Sequence, residues 1–329
     1  MVLSIDISPS SPATLVPVSG PAVPAAVATA GERATRRFWE FFAGQIPNPN
    51  TREAYLRAAF DFFGWLDGRG VGDLLAIEPL HVAAYVHDLR GHYAVPTVKQ
   101  RLAALRMLFD WLVIGQIIPV NPAASVRGPK HVVTKGKTPV LDPSEARQLL
   151  DSIPCENIVG LRDRALIGVL LFGLARIGAA LAMNVEDVYS QGRRLWLRLH
   201  EKGGKRHDMP AHHSLEADLD AYLKAGGLAA PKGALFRTLA REKGRPLSDR
   251  RLPRRNALHM IERRARAAGL AGAVNCHSFR ATGITAYLSN GGQLETARAM
   301  AAHASTKTTQ LYDRRQDQVS LDEIERIVI

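Results

Sequence analysis

A proline-rich, basic stretch divides this chain into two blocks that must fold separately. From Pro119 to Pro139 the sequence PVNPAASVRGPKHVVTKGKTP carries four prolines together with Arg127, Lys130, Lys135 and Lys137. Proline fixes φ and lacks a backbone donor, so neither a long helix nor a central strand runs through such a segment. Residues 119–140 read as an extended linker. With 329 residues in all, each side keeps enough chain for a core of its own.

The first block, 31–118, has helical periodicity throughout. Arg33 to Ala43 gives a first helix, stopped by Pro-Asn-Pro-Asn at 47–50. Asn50 or Thr51 caps a second, to Leu66, with Tyr55, Ala58, Ala59, Phe62 and Trp65 on its apolar face. Pro79 starts a third, ending at Gly91, and a fourth runs from Thr97 to Ile114. Lys99 and Arg106 share a polar face of that last helix, which suits solvent or phosphates. Residues 1–30, broken by Asp6 and five prolines and without a basic start, read as a flexible leader and not a secretion signal.

The second block, 141–316, mixes elements. Asp142 and Pro143 open a helix. Leu195, Leu197 and Leu199 alternate with Trp196, Arg198 and His200, and Gly203-Gly204 turns the chain into a second strand ending at Pro210: a hairpin. From Asp249 onward the pattern is helical again. The whole is mainly α with a small β-sheet. Residues 317–329 form a tail with Leu321, Ile324, Ile327 and Val328 at helical spacing.

Composition narrows the function. The excess of 43 Lys+Arg over 31 Asp+Glu gives a net charge of +12, which suits a polyanionic partner. Two cysteines, Cys155 and Cys276, make neither a disulfide framework nor a four-cysteine zinc site. The longest apolar run, Ala165 to Ala175, is too short for a membrane span, so a cytoplasmic protein is expected. No phosphate-cradling glycine loop occurs, and His207, His212 and His213 read as solvated loop histidines, so no metal or cofactor is expected.

Five features of the second block ask for one explanation. His277-Ser-Phe-Arg280 starts a helix and puts both side chains on one face. His303 and Tyr312 lie in AHASTKTTQLYDRR, across a break at Ala304-Ser305. Arg176 ends an apolar helix, where a guanidinium needs a partner or a ligand. Lys202 occupies the hairpin turn EKGGKRHDMP. Taken singly, each reads as an ordinary structural residue: a half-buried tyrosine, a helix-start or surface histidine, a surface-paired arginine. Lys205 competes with Lys202.

In this order and spacing the residues resemble the tyrosine recombinase (phage integrase) family. HSFRATGITAYL resembles its histidine–arginine box, AHASTKTTQLYDR its histidine-to-tyrosine box, and RDRALIGVLLFGLAR the approach to its first arginine. The resemblance implies a SAM-like core-binding domain followed by a mixed α/β catalytic domain. It implies site-specific DNA cleavage and rejoining, through a 3′-phosphotyrosine and Holliday-junction strand exchange. Arg176 and Arg280 would clamp the phosphate, Tyr312 would attack it, and Lys202 would protonate the leaving oxygen. His277 would assist proton transfer and His303 would hydrogen-bond the phosphate. Double-stranded DNA, a homo-tetramer on it with the tail docked on a neighbour, and accessory proteins are the implied partners; no membrane is. Lys99, Arg106, Arg127, Lys130, Lys135, Arg250, Arg251 and Arg254 are candidate DNA contacts, the last three in a basic run from Arg241 to Arg255 followed by Arg263, Arg264 and Arg266.

One departure stands out. Relatives carry an acid three residues after the first arginine, and Ala179 occupies that place, leaving Glu186 or Asp187 to compensate. A Gly-Leu-Arg decoy at 160–162 puts Arg162 at a helix start, away from the clamp position. Two rival readings follow: a DNA-binding accessory factor that has lost cleavage, and a relaxing enzyme like the type IB topoisomerases.

Overall fold

The computed structural model describes residues 15–16, 22–131, 136, 138–201, 204–240, 246–270 and 272–313. It divides into two compact units, Met1–Val132 and Val133–Ile329.

In the first unit, a short pair β1 (Leu15–Val16) and β2 (Val23–Pro24) precedes α1 (Ala25–Thr29), α2 (Glu32–Glu40), α3 (Pro49–Asp67), α4 (Pro79–His92) and α5 (Val95–Ile114). α2 continues through a π-type turn, Phe41–Gln45, and this wider turn lets the adjacent Phe41 and Phe42 both bury in the core. Asn48, rather than Asn50 or Thr51, caps α3: its Oδ1 accepts from the Asn50 and Thr51 amides at 3.0 and 3.2 Å, with Pro49 in the first turn.

Two boundaries move. The leader expected through residue 30 contains β1, β2 and α1, and Val23, Ala26 and Val27 are fully buried against the helices. An Ala/Val-rich segment supplies both helix propensity and core surface, and here it uses them. The expected linker begins later than Pro119. Ile118, Ala123 and Val126 join the same core, and Arg106 donates to the carbonyls of Ala123 and Val126.

The second unit contains α6 (Pro143–Asp151), α7 (Ile158–Leu171), α8 (Ile177–Ala182), β3 (Val188–Gln191), β4 (Arg194–Glu201), β5 (Lys205–Pro210), α9 (His213–Gly226), β6 (Arg237–Leu239), β7 (Leu247–Arg251), α10 (Arg254–Ala267), α11 (Cys276–Ser289), α12 (Leu294–Met300) and α13 (Thr306–Gln310). Asp142 caps α6 in a capping box with Glu145, as the sequence predicts. The expected hairpin is β4–β5, extended to three antiparallel strands by β3. Helix resumes at Arg254, not Asp249, since Leu247–Arg251 pairs with β6. His207 lies on β5 and not in a loop, whereas His212, in the exposed connection after β5, caps α9 and stacks on Phe172.

α7 is the buried axis of this unit, with Ala165 through Leu170 all buried. The decoy Arg162 is spent here on Asp163 and the Arg237 carbonyl. α11 crosses α7 so closely at Gly283 that a Cβ there would strike the carbonyl oxygen of Leu171 and the Leu174 side chain. That backbone cannot retreat cheaply in a close-packed interior. Gly283→Ala is therefore expected to cost about 1–3 kcal/mol through overpacking. The second unit's urea midpoint should fall, and an unchanged midpoint would show that the two helices can separate freely.

Candidate active site

The site lies wholly in the second unit and is built outward from α11. Asn275 caps this helix, its Oδ1 accepting from the His277 amide at 2.9 Å. His277 sits in the first turn, and Arg280, three residues on, is fully buried. Its guanidinium donates to the carbonyls of Leu174 and Ala301, while its Nε is buried without a protein partner. Leu174 has φ +48° and Ala302, next to the second acceptor, has φ +47°. Among the described residues of this unit they are the two non-glycine residues in left-handed backbone. Such a conformation costs about 1–2 kcal/mol per residue and persists where the surroundings impose it.

Arg176 does not end a long apolar helix. α7 stops at Leu171, the chain turns through Leu174, and Arg176 stands at the N-cap of short α8 with φ −74° and ψ 144°. Its side chain, 35% exposed, pairs with Glu201, whose own is 3% exposed. The other carboxylate oxygen of Glu201 is 3.9 Å from Arg280 Nη1. The carboxylate beside the arginines is therefore Glu201, and neither Glu186 nor Asp187. Asp187 instead faces His200 at 3.4 Å and Arg198 at 3.9 Å, and Glu186 is exposed.

Tyr312 follows α13 and is buried in a small core with Leu174, Ala281 and Ile284. Its hydroxyl lies 2.7 Å from His277 Nε2. Its ring stacks on His303, with centroids 5.9 Å apart and planes inclined by 13°. Thr285 donates to the Tyr312 carbonyl at 3.0 Å. The His303 Nδ1 meets Thr309 Oγ1 at 2.9 Å, which leaves Nε2 as the nitrogen free to face a ligand.

Electrostatics follow from burial among cations. Burial pushes the Tyr312 phenol up, and the charges of Arg280 and Arg176 pull it partway back. Burial, then Arg280 and Arg176, hold His277 below the usual histidine value, so it is neutral at physiological pH and its Nε2 can accept the tyrosine proton. The same causes, with His277 added, bring His303 down to about 3. Burial and then Arg176 lower Arg280 to about 10, against the opposing pull of Glu201 and Tyr312.

Five of the six predicted catalytic residues thus converge, and Lys202 lies outside the described residues. Lys205 sits opposite Glu201 in the β4–β5 register and is exposed. Lys99, Arg127, Lys130, Arg250 and Arg254 are exposed, and Lys135 lies outside the described residues. Two of the candidate DNA contacts have internal work instead. Arg106 holds the segment after α5, and Arg251 donates to the carbonyls of Leu181 and Met183 and to Asn184 Oδ1. Arg263 and Arg264 converge on fully buried Asp163. Sequence reasoning missed Glu201, Thr285 and Thr309. Glu201 had a signal: by period two it continues the inward face of Leu197 and Leu199, where a lone carboxylate demands a partner. No group of three His, Cys, Asp or Glu among the described residues is placed to hold a metal.

Comparison with known proteins identifies the family. The phage integrase family matches residues 139–319, and the phage integrase N-terminal SAM-like domain matches residues 37–115. The chain belongs to the phage integrase family. It is thus a tyrosine recombinase, an enzyme that breaks and rejoins DNA. Over 272 residues it is 29% identical to the tyrosine recombinase XerD of Corynebacterium glutamicum, covering 80% of this chain and 86% of the relative. Against the tyrosine recombinase XerC of Myxococcus xanthus the figures are 27% over 286 residues, 85% and 90%. In fold, the recombinase resembles the XerH site-specific recombinase bound to its palindromic difH substrate, with TM-score 0.68, 19% identity and 89% and 94% coverage. It also resembles a lambda integrase tetramer bound to a Holliday junction, with TM-score 0.65, 16% identity and 87% and 79% coverage. No described helix of the recombinase is long and apolar enough to cross a membrane.

The histidine shift carries a stability consequence. Folded His303 stays neutral down to about 3, whereas the unfolded residue takes a proton below 6.5. The unfolded state then binds the extra proton, so this stability is complete above 6.5 and is lost as pH falls toward 3. The slope is at most about 1.4 kcal/mol per pH unit. Urea titrations between pH 7 and 4.5 should show a shallower acid loss for His303→Gln than for the wild type. Parallel curves would mean that His303 protonates freely in the fold.

Proposed function

We propose that the chain is a site-specific recombinase that cuts duplex DNA by attack of Tyr312 on a backbone phosphate. The observation that carries this reading is the 2.7 Å contact between the Tyr312 hydroxyl and neutral His277, beside the converging guanidiniums of Arg176 and Arg280. The Tyr312 oxygen forms the new bond to phosphorus while the bond to the 5′-oxygen breaks, leaving a 3′-phosphotyrosine. The phenolic proton passes to His277 Nε2, and Lys202 supplies a proton to the leaving 5′-oxygen. One phosphoester replaces another, so a 5′-hydroxyl from a second strand reverses the step and reseals the backbone. Arg176, Arg280 and His303 hydrogen-bond the non-bridging oxygens as charge builds there.

Strand exchange between two duplexes requires four such centres, and we read the active form as a homo-tetramer on double-stranded DNA. Support comes from the lambda integrase tetramer bound to a Holliday junction, which shares the fold. The exposed cations Lys99, Arg127 and Lys130 on the first unit, and Arg250 and Arg254 on the second, suit the DNA backbone. The rival of an inactive accessory factor fits poorly, since the Ala179 departure on which it rested is met by Glu201.

A suicide duplex, nicked so that the short 5′-hydroxyl fragment diffuses away, tests the chemistry once target DNA has been recovered by pull-down and sequencing. Wild type should form a covalent protein–DNA band on a denaturing gel. Tyr312→Phe should form none, and Arg280→Ala should slow its formation by about 10²–10³-fold. Specific binding without an adduct in wild type would overturn the proposal.

A further inference from the structure

Glu201 is the last residue of β4, and its register is inward: Leu197, Leu199 and Glu201 are all at most 6% exposed, with Leu195 behind them half-buried. A carboxylate on such a face is costly unless its charge is matched. Here one oxygen accepts from Arg176 and the other lies 3.9 Å from Arg280. Among the described residues, no other carboxylate is within ion-pair reach of either arginine. The two guanidiniums repel each other, and each is wanted in one orientation for a phosphate that is absent until DNA arrives. A fixed anion between them holds both in place beforehand. The usual position for such an acid, three residues after Arg176, is Ala179, which is buried and carries no charge.

We propose that Glu201 is a positioning residue for strand cleavage, its charge holding Arg176 and Arg280 in register for the scissile phosphate. The role has moved from α8 to the end of β4, so the residue that aligns the clamp directly precedes Lys202, the candidate acid for the leaving oxygen. This rests on the recombinase reading above. Glu201 touches no reacting atom. It acts through the arginines, so DNA affinity and the cleavage step separate when it is changed.

The test compares wild type, Glu201→Gln and Glu201→Asp on the suicide duplex. It reads the single-turnover rate of adduct formation, the DNA dissociation constant and the melting curve. Gln preserves size and removes the charge, whereas Asp preserves the charge and shortens the side chain. If charge is what counts, Asp cleaves at least about fivefold faster than Gln, and Gln falls at least about tenfold below wild type while its dissociation constant stays within about twofold. A Gln variant that fails to melt cooperatively would make Glu201 a requirement of folding and overturn a role specific to cleavage. If Glu201 only fills space, the order reverses, and Gln at the wild-type rate overturns the proposal. Absence of an adduct in wild type itself would instead overturn the recombinase reading.

Discussion

The guanidinium of Arg280 is completely enclosed, and most of the catalytic unit's local geometry exists to make that tolerable. Taking a cation out of water costs several kcal/mol unless its donors are satisfied. The two terminal nitrogens reach the Leu174 and Ala301 carbonyls, leaving only Nε unpartnered, and each acceptor is presented by strained backbone, at Leu174 itself and at Ala302. The close crossing at Gly283 brings α11 near enough to α7 for the first of these bonds. The consequences run outward along the chain. The Leu174 turn delivers Arg176 two residues later, the Ala301 turn delivers His303 two residues later, and α11 itself carries His277. Tyr312 then closes the group by touching both histidines.

Much of this was legible in the sequence, for definite reasons. Period-two alternation at 194–201 gave β4, an Asp-Pro pair gave the start of α6, and the His-x-x-Arg spacing put two functional side chains on one helical face. What escaped depended on partners distant in sequence. Local apolar pattern made Arg176 look like the end of a long helix, because a tight left-handed turn at a leucine has no sequence signature. β3 and β6 are short and half-exposed, so their pairing is decided by β4 and β7 and not by their own residues. Within the supposed leader, Val23, Ala26 and Val27 are packed because they find a surface to cover.

Arginines were the hardest residues to read. A guanidinium offers five donors on a long stem, so it serves a phosphate or a buried carbonyl equally well. Arg106 and Arg251 looked like DNA contacts and are engaged with backbone oxygens. Arg162, Arg263 and Arg264 surround one buried aspartate, Asp163. Part of the net charge of +12 is therefore structural, and the share left for DNA is smaller than the composition suggests. Sequence alone cannot make this division, since nothing local separates an arginine facing a carbonyl from one facing solvent.

Under the proposed mechanism, the same electrostatics explain how Tyr312 would be stored safely as a nucleophile. Burial keeps the Tyr312 phenol protonated, and the arginines that would acidify it are partly neutralised by Glu201. A docked phosphate neutralises them further, so the approach of substrate does not by itself create a phenolate. In the proposed reaction the proton leaves instead as the oxygen–phosphorus bond forms, and neutral His277 lies within hydrogen-bonding distance of the hydroxyl to take it. Coupling proton loss to attack confines reactivity to the moment when a phosphate is held in line. The surplus positive charge of the site is then matched by the negative charge that develops on that phosphate, and by little else.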